Sequence, residues 1–260
     1  MAVFHGIAGR VVALSSGDVY RACAVLLGKD PGPPQEMPLT EDSELRSAPP
    51  YTAAHLRFAQ SVFPWLTDDY DKVPVERAVM GDPQLPGTVL RLPMVYGPGD
   101  PLHRLFPILK RVDDGRPSIL LQEDAGRLRP PRGYAENVTR AIALAATDPR
   151  AAGRVYNVAE ADSPSEAEWT RMVAEAAGWR GRVVALPKEQ LPRHLRSPLH
   201  TAQDWLVSSE RIRRELGYQE PIPRVLALER TIAWERAHPP ATVDLSQFDY
   251  AAEDAAIPPD

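Results

Sequence analysis

At 260 residues and 43% apolar content, the chain is long enough for one large α/β domain, or one domain with a small satellite, and disorder is not the default reading. A net charge of −5 without any block of like charge argues against nucleic acid or an anionic membrane as partner. The single cysteine, Cys23, excludes an intramolecular disulfide and a Cys-rich metal site, and no apolar run reads as a membrane span or signal peptide, so a soluble cytoplasmic protein is expected.

The first element is an apolar strand over residues 11–14 that runs into Ser15-Ser-Gly-Asp-Val-Tyr20. Such a run reads as a buried parallel strand that brings hydroxyls and a carboxylate to the carboxyl edge of a sheet. Residues 28–50 are rich in proline and acidic side chains and read as a long surface loop. Residues 51–63 have weak helical spacing, and a second helix over 75–80 opens near Asp71 and Pro74. A strand over 88–92 is followed by a turn-rich loop over 93–100, a helix over 102–112, a short strand over 118–121, a helix over 134–147 and a strand over 154–158.

From Ser163 the pattern shifts: a capped helix runs to 177, a strand spans 183–186, and helices cover 208–216 and 222–237. Strands alternating with helices imply a mainly parallel sheet with helices on its faces. The expected division is a core over 1–160, a smaller unit over 161–240 interleaved with parts of 93–135, and a flexible acidic tail over 241–260 whose Phe248 and Tyr250 can dock on a neighbour.

Four segments in order resemble the extended short-chain dehydrogenase/reductase family, the NAD-dependent sugar epimerases and dehydratases. They are Ser15-Ser-Gly-Asp-Val-Tyr20, Leu90-Arg-Leu-Pro-Met-Val-Tyr-Gly-Pro-Gly-Asp100, Gly133-Tyr-Ala-Glu-Asn-Val138, and Gly153-Arg-Val-Tyr-Asn-Val158 with the later Leu216-Gly-Tyr218 and Thr231-Ile-Ala-Trp234. The resemblance implies a partial Rossmann-like parallel sheet with a small C-terminal α/β substrate domain. It also implies NAD or NADP as cofactor, a sugar nucleotide or similar carbinol as substrate, and epimerase/dehydratase or reductase chemistry.

Within that resemblance Ser16 orients the reacting oxygen and Lys72 lowers the pKa of a tyrosine that acts as base. Asp18 falls where the family's dehydratases keep an acidic residue. Counting four back from Lys72 gives Asp68, so the tyrosine is Tyr70, two residues away; side chains two apart on a helix do not face each other, and Tyr70 reads equally as a ring at a helix N-terminus. Ser16 and Asp18 also read as a self-capping turn. The resemblance puts Ser15, Pro93, Val95 and Tyr96 on the cofactor side. It puts Arg104, Arg129, Arg132 and Tyr134 on the substrate side, where the arginines, with Arg127, form a phosphate clamp or simply a solvated basic loop.

No glycine-rich dinucleotide loop follows a strand anywhere, so NAD(P) is expected to bind weakly or not at all. Two explanations stand. Either Met1 is an internal methionine of a longer, truncated enzyme, or the chain has lost redox function and serves as a binding or dimerisation module. The six histidines are scattered and no metal site is expected. The strand over 11–14 is expected at an open sheet edge, which favours self-association.

Overall fold

The computed structural model describes residues 1–257. In chain order it contains β1 (Val11–Ser16), α1 (Arg21–Leu26), α2 (Ala53–Val62), α3 (Lys72–Met80), β2 (Gly87–Leu92), β3 (Met94–Tyr96), α4 (Phe106–Asp113), β4 (Ser118–Gln122) and α5 (Glu123–Gly126). There follow β5 (Arg132–Tyr134), α6 (Ala135–Thr147), β6 (Arg154–Asn157), α7 (Glu166–Ala176), β7 (Arg182–Leu186), α8 (Glu210–Leu216), α9 (Arg224–Ala237) and α10 (Tyr250–Ala256).

The strands form a three-stranded parallel sheet in the order β1-β2-β6, and two parallel pairs, β3-β5 and β4-β7. This is the expected Rossmann-like α/β arrangement. β2 lies in the middle, and its first five residues are buried, as a strand covered on both faces requires. Among the described residues β1 pairs on one side only, through Val11↔Gly87 to Ser16↔Leu92.

Local chemistry sets the helix starts. Thr52 and His55 form a capping box on α2, Ser165 and Glu168 another on α7, and Asp71 accepts from the Val73 amide at 3.0 Å to open α3. Because α3 begins at Lys72, Pro74 falls in its first turn, where the missing amide has no helical acceptor to lose. Gly217, at φ 69°, ends α8 in the left-handed region.

One core cluster packs Leu90 and Tyr156 of the sheet under Val138 and Ala141 of α6 and Ile212 of α8. A second joins Tyr96 and Tyr134 to Leu109 of α4, Trp169 of α7 and Leu228 of α9.

Two expectations about loops change. The proline-rich segment does not run free over the surface. Leu39 is fully buried, its amide bonds Leu206 O at 2.8 Å, and its carbonyl accepts from the Ser208 amide at 2.8 Å. The acidic segment 241–257 is not a loose tail either: α10 is docked by Glu253, 1% exposed, which pairs with Arg111 at 2.6 Å. Phe248 packs edge-on against Phe106 of the same chain, and Ala256 and Ile257 cover the cluster of Leu120, Leu186 and Leu191. The absence of helical periodicity hid a helix of only two turns, held by Glu253 between Arg111 and His194 and by the pair Arg116–Asp254.

Candidate active site

A cavity of about 560 Å³ opens at the carboxyl end of β1. Ser16, Asp18 and Tyr51 supply polar groups on one side; Leu121 of β4, Ala125 of α5, Leu199 and Trp205 supply apolar wall. The chain turns sharply after β1 because the Ser16 hydroxyl oxygen accepts from the Asp18 amide at 3.2 Å, which starts a 3-10 turn over Gly17–Val19. Trp205 lies against Gly17, its ring nitrogen 3.6 Å from where a Cβ there would stand.

The turn buries Asp18 to 8% exposure. The Tyr51 hydroxyl donates to Asp18 Oδ2 in a short hydrogen bond, and Oδ1 is buried without a partner. Arg46 donates to the Asp18 carbonyl at 2.8 Å and pairs with Asp71 at 2.8 Å. The Tyr70 ring lies 6.1 Å from that of Tyr51, and the Lys72 ammonium stands 5.8 Å from the Tyr70 ring centre.

Burial, reinforced by the Asp18 charge, pushes the Tyr51 and Tyr70 hydroxyls well above the ordinary tyrosine range. Burial pulls the Lys72 ammonium down, against the opposing pull of Asp18 and Glu76. The arrangement therefore does not produce the acidic tyrosine that the Tyr–Lys resemblance implies. Cys23 also lines the cavity, its thiol pushed up to about 12 by burial and by Asp18, so it is protonated at neutral pH.

Of the sequence-selected residues, Ser16 and Asp18 line the cavity together. Tyr70, whose ring is against that of Tyr51, and Lys72, over the Tyr70 ring, stand outside the lining. Ser15 faces elsewhere: it is 3% exposed and donates to Glu76 Oε1 at 2.5 Å. Glu76 in turn holds Arg91 at 2.8 Å, and Arg91 donates to the Tyr20 hydroxyl at 3.0 Å. This buried network supports the strand ends and removes Ser15 from the cofactor side.

Tyr96 is buried, its hydroxyl donating to Glu160 at 2.9 Å; the Val95 carbonyl accepts from Arg104 at 3.0 Å; and Pro93 packs so close to β5 that a Cβ on Gly133 would lie 2.9 Å from its ring. Tyr134 is buried and donates to Glu136 at 2.9 Å.

The arginines do not form an open clamp. Arg132 pairs with Glu166 at 2.7 Å and stacks over Trp169 at 4.5 Å; Arg104 pairs with Asp100 at 2.5 Å; Arg129 pairs with Asp204 and Arg127 with Glu123, both at 2.8 Å. Arg104 and Arg132 line a side chamber of about 250 Å³ with Tyr96 and Trp169. Met94 and Glu166 line both this chamber and the main cavity.

Sequence reasoning missed Tyr51, Met94 and Trp205. The one available signal was that Tyr51 is the first aromatic after the proline-rich stretch, immediately before a Thr cap.

The described residues do not fit a dinucleotide's pyrophosphate. Ahead of β1 lie a 3-10 helix over Ala2–Phe4 and turns, and the helix after β1 has six residues, with Tyr20 as its N-cap and no glycine loop. Among these residues no group of His, Cys, Asp and Glu is placed to hold a metal, and no helix is long and apolar enough to cross a membrane.

Residues 2–159 match the model of the NAD dependent epimerase/dehydratase family. No functionally curated protein matches. Among solved structures the chain resembles UDP-glucose 4-epimerase from Thermotoga maritima, with 19% identity, a TM-score of 0.54 and coverage of 89% of this chain and 64% of that one. It also resembles dTDP-glucose 4,6-dehydratase from Streptomyces venezuelae, with 24% identity, a TM-score of 0.54 and coverage of 88% and 61%. A third is Pal from Bacillus thuringiensis, with 15% identity, a TM-score of 0.57 and coverage of 88% and 63%. The chain thus spans less than two thirds of each of these three structures.

Proposed function

The chain belongs to the NAD dependent epimerase/dehydratase family, and from that premise we propose that it forms the substrate side of such an enzyme's site. Its cavity takes a small carbinol or the corresponding carbonyl compound. The observation that carries this reading is the meeting of Ser16, Asp18 and Tyr51 on one side of a 560 Å³ cavity at the carboxyl edge of the sheet.

The Ser16 oxygen accepts from the Asp18 amide and keeps its own hydrogen to donate to the substrate oxygen. Asp18, which lines the cavity, accepts a hydrogen bond from the carbinol hydroxyl, and Tyr51 holds its Oδ2 in place. Tyr70 packs against Tyr51 and lies under Lys72, and both Tyr70 and Lys72 stand outside the lining. The described residues offer a dinucleotide no cradle, so NAD(H) and NADP(H) bind this chain weakly or not at all.

Calorimetric titration with all four nucleotides tests the last point: a dissociation constant at or below about 10 μM overturns it. Loss of carbinol binding in Ser16→Ala and Asp18→Asn supports the assigned site, and unchanged binding in both overturns it. A second reading, a non-catalytic binding or dimerisation module, is favoured by the one-sided pairing of β1 among the described residues and the half-exposed Leu14 within it.

A further inference from the structure

Part of the main cavity's wall comes from segment 187–200, which brings Leu195, Ser197 and Leu199 into the lining. That segment is irregular apart from two 3-10 turns, over Lys188–Gln190 and Arg193–Leu195, so its position depends on what it is tied to. The Ser197 amide donates to Gln122 Oε1 of β4 at 2.7 Å, and the His200 amide donates to the Leu26 carbonyl of α1 at 2.8 Å. The earlier part leans on the C-terminal arm: His194 Nε2 lies 3.1 Å from Glu253 Oε1, and Leu191 and Leu195 share an apolar cluster with Ala256 and Ile257. Leu195 thus belongs both to the cavity wall and to the cluster that the arm covers.

The hold on the arm over 244–257 centres on one carboxylate. Glu253 is buried between Arg111, at 2.6 Å, and His194. Arg111 also donates to the Gln247 carbonyl at 2.9 Å and stands 4.9 Å from the Phe248 ring centre. The contacts of Arg116 with Asp254 and of Tyr250 with Asp114 are exposed and contribute less. Removing one member of a buried ion pair leaves the other uncompensated, so Glu253 decides whether the arm stays docked. The arm takes no part in the β1-β2-β6 sheet, and it can leave without breaking that sheet.

We propose that segment 244–257 is a strap that governs entry to the cavity: docked through Glu253 it holds the 187–200 wall in place, and undocked it lets that wall move and opens the cavity. This rests on the proposed function for the cavity being the ligand site, and adds what controls access to it.

The test labels Cys23, the one cysteine of the chain, which is buried on the same cavity. N-ethylmaleimide is applied to the full-length protein, and hydrogen exchange is followed by mass spectrometry. Glu253→Ala and, at the arm's end, Ile257→Asp are expected to free 244–257, to raise exchange in 187–200 but not in β1 or β2, and to speed labelling at least about tenfold. The faster labelling should be nearly independent of urea below the unfolding transition, because a local opening exposes little surface. Ile257→Asp keeps the test readable should Glu253→Ala fail to fold. A freed arm with unchanged labelling overturns the proposal, and so does labelling that steepens with urea as global unfolding does. An arm that stays protected in both variants overturns it too, since Glu253 is then not what holds it. Labelling needs no ligand, so these failures leave the Ser16–Asp18 assignment standing, and unchanged carbinol binding in Ser16→Ala and Asp18→Asn leaves the strap standing.

Discussion

The Lys72 ammonium stands over the face of the Tyr70 ring, 5.8 Å from its centre, and not at a tyrosine hydroxyl. Tyr70 precedes α3, so the contact is made from a turn, outside the geometry that puts residues four apart on one helix face. The hydroxyl that reaches Asp18 is that of Tyr51, twenty-one positions before Lys72.

Tyr51→Phe and Tyr70→Phe should therefore separate. Tyr51→Phe takes the donor from a buried carboxylate oxygen, at a cost of about 1–3 kcal/mol, and weakens ligand binding. Tyr70→Phe keeps the ring under Lys72 and should change stability by no more than about 0.5 kcal/mol. Urea unfolding of both variants checks this; equal losses would show that Tyr51 has no special place at Asp18.

Lys72 gives a pH dependence. Burial lowers its folded-state pKa below the ordinary 10.5, so charged Lys72 opposes folding, and the unfolded chain binds the extra proton between the two values. Lys72→Met should gain stability relative to wild type near neutral pH, and that advantage should shrink as pH rises from the lowered value through 10.5. Urea midpoints of the two proteins across this range measure it. An advantage that grows with pH would reverse the sign.

Strand and helix periodicity made the α/β class legible, because β2 buries Val89 and Leu90 at its centre and α6 buries Val138, Ala141 and Ala145. Ser16 and Asp18 were legible because a strand end delivers its side chains to a fixed edge. Tyr51 was not, since an irregular segment of more than twenty residues carries it back to Asp18, and local pattern does not encode that path. Ser15 was misread for a different reason. Adjacent strand residues point to opposite faces, so the turn at Ser16 and the network at Ser15 cannot share one cavity. The partners of Arg129 and Arg132 were unreadable because Asp204 and Glu166 lie far along the chain, whereas Arg104–Asp100 and Arg127–Glu123 are pairs four residues apart.

The network beneath the site should be costly to break. Glu76 and Arg91 are 4% and 5% exposed and pair at 2.8 Å, and removing one charge leaves the other buried alone. Glu76→Ala should lose about 3–5 kcal/mol, while Ser15→Ala, which deletes one donor to an already paired carboxylate, should lose about 1 kcal/mol. Chemical denaturation reads both values; a cost under about 1 kcal/mol for Glu76→Ala would mean that water or a shifted neighbour replaces the carboxylate.

The edge of the sheet supplies the last prediction. Among the described residues β1 pairs only with β2, and Leu14 within it is 49% exposed; Val3, Phe4 and Ile7, just ahead in the chain, are 74%, 45% and 83% exposed. An apolar strand with one row of free backbone donors and acceptors is a template for another strand, and natural edges are usually blunted by charge or cover. The chain should therefore self-associate as its concentration rises into the tens of micromolar. Leu14→Lys should shift it towards monomer without lowering its unfolding midpoint by more than about 0.5 kcal/mol in equivalent stability, since the residue is half exposed. Sedimentation velocity on both proteins decides the matter. A wild-type chain that stays monomeric over that range would show that the open side of β1 does not recruit a second copy.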